Sequence, residues 1–135
     1  METSTKKFAL VFLGVLLCGL MNANGIKIVN LLVEYEQTPL VIDTQHPRFS
    51  WQMTADKDMH GCTQTAYRIV VNDEDGHRVW DSGKVDDARS LNIIYGGDRL
   101  KPMTRYDWRL DVWDQEKHLH QASSWFETSL MTDSD

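Results

Sequence analysis

The stretch from Leu100 to Asp114 constrains the fold of this chain most, because it joins a turn signal to a long amphipathic segment. From Tyr106 to Val112, apolar and polar residues alternate, and a period of two places successive side chains on opposite faces of a strand. We therefore predict a half-buried β-strand. The side chains predicted to point inward are Tyr106, Trp108, Leu110 and Val112. Those predicted to point outward are Asp107, Arg109 and Asp111.

The residues before this strand predict a tyrosine corner. Leu100-Lys-Pro-Met-Thr104 reads as a turn, and Tyr106 follows it almost directly. In immunoglobulin-like and fibronectin type III sandwiches, a tyrosine at this place buries its ring and bonds its hydroxyl to the backbone a few residues upstream. We expect Tyr106 to be such a structural corner, with its hydroxyl bonded to the backbone between Leu100 and Met103.

The rest of the chain continues the all-β pattern. Short β-branched or alternating runs are separated by turn signals such as Asn72-Asp-Glu-Asp-Gly76, and no helical periodicity occurs after residue 25. The predicted strands are 26–36 with a continuation at 38–42, then 46–53, 64–71, 79–85, 91–95, 106–114 and 123–130. This pattern predicts one domain at 26–135, an antiparallel immunoglobulin-like or fibronectin type III-like β-sandwich of about seven strands.

The N-terminal segment predicts a secretory signal peptide at 1–25. Lys6 and Lys7 are followed by an uncharged apolar run of 14 residues, and Asn22-Ala-Asn-Gly25 offers small residues for cleavage. The predicted location is secreted or periplasmic. An uncleaved anchor is disfavoured because the run is shorter than the roughly 20 residues that span a membrane. A lipoprotein acylated at Cys18 stays open as a minor alternative, which the bulky Leu17 disfavours.

The charge of the chain limits its partners, and its cysteine content limits its disulfides. Residues 26–135 contain 12 Lys and Arg against 19 Asp and Glu, a formal charge of -7. An acidic surface predicts no nucleic-acid partner and no binding to anionic membranes. One cysteine, Cys62, remains after residue 25, so no internal disulfide is expected and the core must hold the fold unaided.

Five sequence blocks together resemble a known family. They are Pro47-Arg-Phe-Ser-Trp51, Gln64-Thr-Ala-Tyr-Arg-Ile-Val-Val71, Val79-Trp-Asp-Ser-Gly-Lys-Val85, Tyr95-Gly-Gly97 with Leu100, and Tyr106-Asp-Trp-Arg-Leu-Asp-Val-Trp-Asp114. In this order and spacing they are similar to the fibronectin type III-like module at the N-terminus of bacterial α-L-rhamnosidases of glycoside hydrolase family 78. The resemblance covers residues 30–130. One departure is the turn at 115–120, which lacks the expected glycine.

The resemblance implies a secreted glycoside hydrolase whose catalytic carboxylates lie on a later (α/α) barrel. That barrel is missing from this sequence, so we predict that the chain alone is not an enzyme, whether it is a fragment, a truncated gene product or a free module. Its implied partners are the other domains of a rhamnosidase, and no cofactor is implied. The alternative is a free-standing carbohydrate-binding or cell-surface adhesion module whose partners are rhamnose-containing glycans.

The polar residues predict no catalytic, cofactor-binding or metal-binding site. Glycoside hydrolysis normally requires two facing carboxyl groups, one of them with a raised pKa, whereas the carboxylates here fall in turns or on outward strand positions such as Asp107 and Asp111. Asp73 to Gly76 fits a hairpin turn better than a calcium loop. His118 and His120 share a face if that segment is extended, but exposed turn histidines are favoured over metal ligands.

Three tryptophans are the remaining functional candidates. Trp80, Trp113 and Trp125 fall out of phase with the predicted inward residues of their strands, so we predict that they point outward. Outward tryptophans on a sandwich can dock a neighbouring domain or stack on sugar rings. We favour domain docking, with packing inside the chain and sugar stacking as the alternatives.

Overall fold

The computed structural model describes residues 26–55 and 63–131. The predicted signal peptide, the lipoprotein alternative at Cys18 and the loop cysteine Cys62 lie outside these ranges. Within them the chain forms seven strands and no helix. The strands are β1 (Ile26–Val33), β2 (Arg48–Ala55), β3 (Gln64–Asn72), β4 (Arg78–Asp81), β5 (Ile93–Ile94), β6 (Arg105–Asp114) and β7 (Leu119–Glu127).

The seven strands form two sheets. One sheet has the order β1-β2-β5 and the other has the order β4-β3-β6-β7, and all strand pairs are antiparallel. Two antiparallel sheets with this number of short strands are the arrangement of an immunoglobulin-like sandwich. The fold class predicted from the sequence is confirmed.

The core lies between the inner faces of the two sheets. Four alternate residues of β6 are at most 1% exposed: Tyr106, Trp108, Leu110 and Val112. From the opposite sheet, the Phe49 ring meets Trp108 edge to face with 4.7 Å between centroids, and it meets Phe126 at 6.0 Å. The period-two pattern therefore identified the inner face of β6 correctly, because burial on one face selects apolar residues at every second position.

A buried glutamine ties β2, β3 and the 85–90 segment together. The Gln64 side chain accepts a hydrogen bond from the Trp51 indole at 2.8 Å and donates to the carbonyls of Asp87 and Arg89 at 3.0 and 2.9 Å. A buried amide costs free energy unless its donors and acceptor are paired. These three bonds satisfy Gln64 and hold the loop after β4 against the core.

The corner before β6 is held by three side chains. The Tyr106 hydroxyl accepts a hydrogen bond from the Lys101 amide at 2.8 Å, within the stretch where the sequence places it. The Gln45 side chain accepts from the Leu100 amide at 2.8 Å and donates to the Leu100 carbonyl at 3.0 Å. The Thr128 hydroxyl donates to the Lys101 carbonyl at 2.5 Å. The corner backbone is thus paired on both donor and acceptor sides.

The last strand begins and ends earlier than predicted, at Leu119–Glu127 instead of 123–130. β7 begins at Leu119 instead of Ser123, because β6 and β7 pair in unbroken register from Arg105 opposite Glu127 to Trp113 opposite Leu119. The polar residues His120 and Gln121 made this segment resemble a turn, because polar side chains occur in strands as well as in loops. The predicted turn therefore shrinks to residues 115–118.

The turn from β6 to β7 has the same hydrogen bonds as the turn from β3 to β4. In each, an aspartate Oδ1, of Asp73 or Asp114, accepts the amides of the second and fourth residues after it at 2.9 to 3.0 Å. The third residue after the aspartate has a positive φ in both turns, 82° at Gly76 and 64° at Lys117. The glycine missing from the last turn is therefore replaced by a lysine in a conformation that glycine adopts readily.

Replacing Lys117 with glycine is expected to raise the free energy of unfolding by about 0.5 to 1 kcal/mol, because a left-handed backbone is unfavourable for an L side chain. Gly76→Ala is the matched control and should lower it by about 1 kcal/mol. A Cβ added at Gly76 meets no atom within 4 Å, so its cost is conformational. Urea unfolding of both variants measures the two values. A destabilised Lys117→Gly protein would contradict the shared geometry.

Candidate functional site

The prediction that Trp80 points outward is wrong. In the register of β3 and β4, Trp80 lies opposite Val71, which is fully buried in the core. Its ring meets Tyr95 at 5.1 Å and Phe49 at 5.9 Å between centroids. β4 is an edge strand, so the ring stays partly exposed even though it faces inward. Packing inside the chain accounts for Trp80, and it is no longer a candidate docking residue.

Trp113 and Trp125 lie on the outer face of the four-stranded sheet, and both are partly buried. Trp113 is next to the inward Val112 and pairs with Leu119, whereas Trp125 lies opposite Asp107. Asp107, which faces Trp125, and Trp113 are six steps apart along β6, or roughly 20 Å at about 3.4 Å per residue. The two rings therefore do not form one aromatic platform.

A cation covers one face of each outer tryptophan. The Lys84 ammonium lies 4.7 Å from the centroid of the Trp113 ring, and the Arg105 guanidinium carbon lies 4.2 Å from that of Trp125. Both distances are within the range of attractive cation–π contacts. A sugar stacks on an open ring face, so each ring already has one face occupied by a side chain of this domain.

The different directions of Trp80 and Trp113 predict different mutational costs. Trp113→Ala should lower the free energy of unfolding by about 1 kcal/mol, because the ring is partly in water and loses one cation–π contact. Trp80→Ala should cost about 2 kcal/mol, because it removes contacts with Phe49 and Tyr95. Denaturant unfolding compares the two. A larger loss for Trp113→Ala than for Trp80→Ala would contradict the two directions.

Asp111 is buried on the outer face of the sheet, contrary to the prediction of a solvated carboxylate. It is 4% exposed, whereas the side chain of Asp107 is 63% exposed. The Gln121 amide donates to Asp111 Oδ1 at 2.9 Å, and Arg109 Nε lies 3.2 Å from the same oxygen. Alternation identified the face of Asp111 correctly, but it does not show that long side chains from the same sheet cover this residue.

His120 is also not the exposed turn histidine that was predicted. Its side chain is 10% exposed and its Nε2 lies 2.9 Å from Oδ2 of Asp114, while the side chain of His118 is 59% exposed, as expected. Asp114 itself is 1% exposed. The longer β7 explains the difference, because His120 lies within the strand and opposite the buried Val112.

The described carboxyl groups with clearly perturbed pKa values all have them lowered. Burial would raise the pKa of Asp114, but hydrogen bonds from His120 and from the amides of His118 and Glu116 outweigh it and hold that pKa below its usual range. Hydrogen bonds from Arg68 hold the pKa of Asp81 well below its usual range. These groups are therefore ionised hydrogen-bond acceptors, which is the opposite of what a general acid requires.

The acidic turn at the end of β3 brings three potential ligand groups together. Asp73, Asp75 and His77 each offer an atom, and these atoms lie within 4.8 Å of one another. However, Asp73 Oδ1 accepts the amides of Asp75 and His77. The group therefore has the geometry of the hairpin turn favoured from the sequence.

Sequence reasoning missed a group of exposed apolar side chains beside the corner. Leu40, Val41, Met103 and Leu130, which we call the corner patch, come from three segments that are distant in the sequence. The sequence predicted strands over Leu40, Val41 and Leu130, at 38–42 and 123–130, but all four residues lie outside the seven strands of the structure. Strand periodicity therefore did not indicate that they form one exposed surface. Their proximity is a consequence of the tertiary fold.

Several known proteins are similar to this chain in sequence and fold. Residues 28–132 match the family described as the Rha78A-like, N-terminal immunoglobulin domain. The chain is 40% identical over 114 residues to an α-L-rhamnosidase of Streptomyces avermitilis, a match that covers 80% of this chain and 11% of the relative. It is 36% identical over 103 residues to an α-L-rhamnosidase of Formosa agariphila, covering 72% and 10%. The chain thus spans about a tenth of the length of these relatives.

Solved structures of α-L-rhamnosidases are also similar to this chain. The S. avermitilis α-L-rhamnosidase complexed with L-rhamnose superposes with a TM-score of 0.73 over 81% of this chain and 11% of its own. The α-L-rhamnosidase of Dictyoglumus thermophilum is 30% identical, with a TM-score of 0.72 over 84% and 13%. In the described part of the chain, no helix is long and apolar enough to cross a membrane. The agreement of sequence and fold shows that the chain belongs to the family of Rha78A-like N-terminal immunoglobulin domains.

Proposed function

We propose that the chain is the non-catalytic N-terminal β-sandwich of a secreted α-L-rhamnosidase, which packs against the other domains of that enzyme and supports its catalytic barrel. The observation that carries this proposal is the match of residues 28–132 to a domain that makes up about 11% of its rhamnosidase relatives. A small rigid sandwich joined to a much larger enzyme fits a supporting role. Catalysis then belongs to the other domains.

The carboxylates of the sandwich support a non-catalytic role. A glycosidase needs one carboxyl group that stays protonated near neutral pH and a second facing it across the bond. Asp111 and Asp114 are the buried carboxylates of the described residues, and each has its oxygens engaged by neighbouring donors. Such carboxylates stabilise β6 and its turn.

The outer tryptophans favour domain docking over sugar binding. Lys84 and Arg105 would have to leave the rings of Trp113 and Trp125 before a sugar could stack on those faces. Docking against a protein surface does not require this displacement, because the two cations can stay on the rings and join the contact. Trp113 and Trp125 therefore remain in the proposal as docking residues, and a free-standing sugar-binding module is the less supported alternative.

Two assays test the supporting role. The isolated chain should not hydrolyse a chromogenic α-L-rhamnoside, and turnover lost on mutating one Asp or Glu would refute a non-catalytic domain. In the second assay, residues 26–131 replace the immunoglobulin domain of the S. avermitilis enzyme. This hybrid should keep more activity after heating than the same enzyme without the domain. Equal inactivation of the two would refute the supporting role.

Export is a separate part of the proposal. Its support is the Lys6 and Lys7 pair followed by the 14-residue apolar run. The mass of the protein recovered from outside the cytoplasm is expected to correspond to a chain that begins near Ile26. A mass that includes Met1 would refute cleavage, and a chain that begins at a lipid-modified Cys18 would establish the lipoprotein alternative instead.

A further inference from the structure

We propose that the corner patch is the surface on which this domain contacts the next domain along the rhamnosidase polypeptide. This inference rests on the proposed function and adds to it the contact surface and its chemistry. The patch residues Leu40, Val41, Met103 and Leu130 are 60%, 72%, 71% and 75% exposed. A contiguous group of large apolar side chains left so far in water marks an interaction surface more often than a single exposed one does.

The patch is held rigidly by backbone hydrogen bonds between its three segments. The Ser129 amide donates to the Ile42 carbonyl, and the Met103 amide donates to the Ser129 carbonyl, both at 2.9 Å. The Ile42 amide donates to the Glu127 carbonyl, also at 2.9 Å. A surface fixed in this way loses little conformational entropy when a partner binds. The exposed side chains are therefore presented by a preformed backbone.

Backbone strain at the patch also suggests a role beyond stability. Met103 has a φ of 51° and Met131, which lines the same patch, has a φ of 49°. A left-handed backbone costs an L residue about 1 to 2 kcal/mol. At position 103 the fold carries this cost at a side chain that is largely in water, so burial in this domain does not offset it. Strained backbone of this kind clusters at functional sites such as ligand clamps and switch regions.

The position of the patch identifies its occupant. In its relatives this sandwich is the N-terminal domain and forms about a tenth of the protein, so their next domain follows it along the chain. Leu130 and Met131, at the end of the matched region, line the patch. In the relatives, the polypeptide therefore leaves this domain beside the patch, and a domain tethered there has a high effective concentration at the patch.

The rim of the patch defines the chemistry of the partner surface. Asp43 and Glu127 lie at the edge of the apolar group, and the Ser129 hydroxyl donates to Asp43 Oδ1 at 2.9 Å. An apolar centre with an acidic rim fits a partner face whose own apolar centre is bordered by Lys or Arg. The occupant we infer is therefore a basic-rimmed apolar face on the next rhamnosidase domain.

Oxidation of Met103 tests this surface directly. Methionine oxidation follows exposure, so a docked domain should shield the Met103 sulfur from hydrogen peroxide. We expect Met103 in the S. avermitilis hybrid to oxidise at least about fivefold more slowly than in the isolated chain. Met53, which is partly buried on β2, is the internal control and should react at the same rate in both. Peptide mass spectrometry reads both sites.

A pair of variants separates the patch from other exposed apolar residues. Val41→Asp in the hybrid should return Met103 to the oxidation rate of the isolated chain, because it places a charge at the centre of the contact. Ile94→Asp, at a residue 61% exposed on β5, is the matched control and should leave Met103 shielded. Thermal unfolding of each variant in the isolated chain checks that both remain folded.

The outcomes distinguish the surface from the proposed function. One outcome is that Met103 oxidises equally fast in the hybrid and in the isolated chain, while the hybrid stays more heat-resistant than the enzyme without the domain. That result would refute the corner patch as the contact surface and leave the supporting role in place. No gain in heat resistance would overturn the supporting role itself. A third outcome is that Met103 is already shielded in the isolated chain, and that this chain forms a dimer which Val41→Asp dissociates. That result would identify a second copy as the occupant and overturn the inference.

Discussion

Replacing Tyr106 with alanine is expected to lower the free energy of unfolding by about 4 kcal/mol, because it leaves a ring-sized cavity in the core. The Tyr106 ring is 1% exposed and stacks on Phe126 with 5.3 Å between centroids. Small domains are stable by roughly 5 to 15 kcal/mol, so this loss is a large share of the total. Urea unfolding followed by tryptophan fluorescence measures it.

Tyr106→Phe is the matched control for the hydroxyl. It keeps the ring and removes the acceptor of the Lys101 amide, so it should cost about 1 to 2 kcal/mol. Its free energy of unfolding can also be measured if the alanine variant does not fold. Negligible effects from both changes would contradict the burial of Tyr106 and its role as the structural corner.

Gly97→Ala is expected to destabilise the domain by about 3 kcal/mol through overpacking. A Cβ at position 97 would overlap the Val79 carbonyl oxygen and the Trp80 Cβ, and it would lie 2.7 Å from the Tyr95 hydroxyl. The first two atoms belong to β4, and they can move away only if the whole strand moves. The substitution must therefore separate the 95–98 segment from β4, and thermal unfolding should show a clear drop in Tm.

The adjacent glycine is the matched control for this substitution. A Cβ at Gly96 would lie 3.5 Å from Trp80 Nε1, its nearest neighbour, which is an ordinary van der Waals distance. Gly96→Ala should therefore change the free energy of unfolding by no more than about 0.5 kcal/mol. Equal losses at the two positions would show that the 95–98 segment packs against Trp80 differently from the structure described above.

The strands of the two sheets could be predicted because strand patterning is local. β3 and β6 each turn one face to the core, so large apolar residues at every second position, such as Tyr67, Ile69 and Leu110, could be placed inward from the sequence alone. The outward Ala66 and Val70 of β3 are buried as well. The corner could be predicted for the same reason, since Tyr106 and the backbone it contacts lie five residues apart.

Edge strands and covered polar residues could not be predicted in this way. β4 has four residues, and both Val79 and Trp80 pack against the core, so alternation was too short to show which side faces inward. Register with β3 sets that direction by placing Trp80 opposite Val71. The burial of His120 likewise depends on the length of β7, which pairing with β6 determines.

Sequence alone predicted the sandwich, the inner faces of β3 and β6 and the family, because alternation, turn residues and motif order are all properties of neighbouring positions. The corner patch required the three-dimensional arrangement. Leu40, Met103 and Leu130 come from segments separated by tens of residues, and backbone hydrogen bonds between those segments bring them to one surface. Only the folded chain shows that these apolar side chains are both adjacent and exposed, because neither property follows from residue type or spacing.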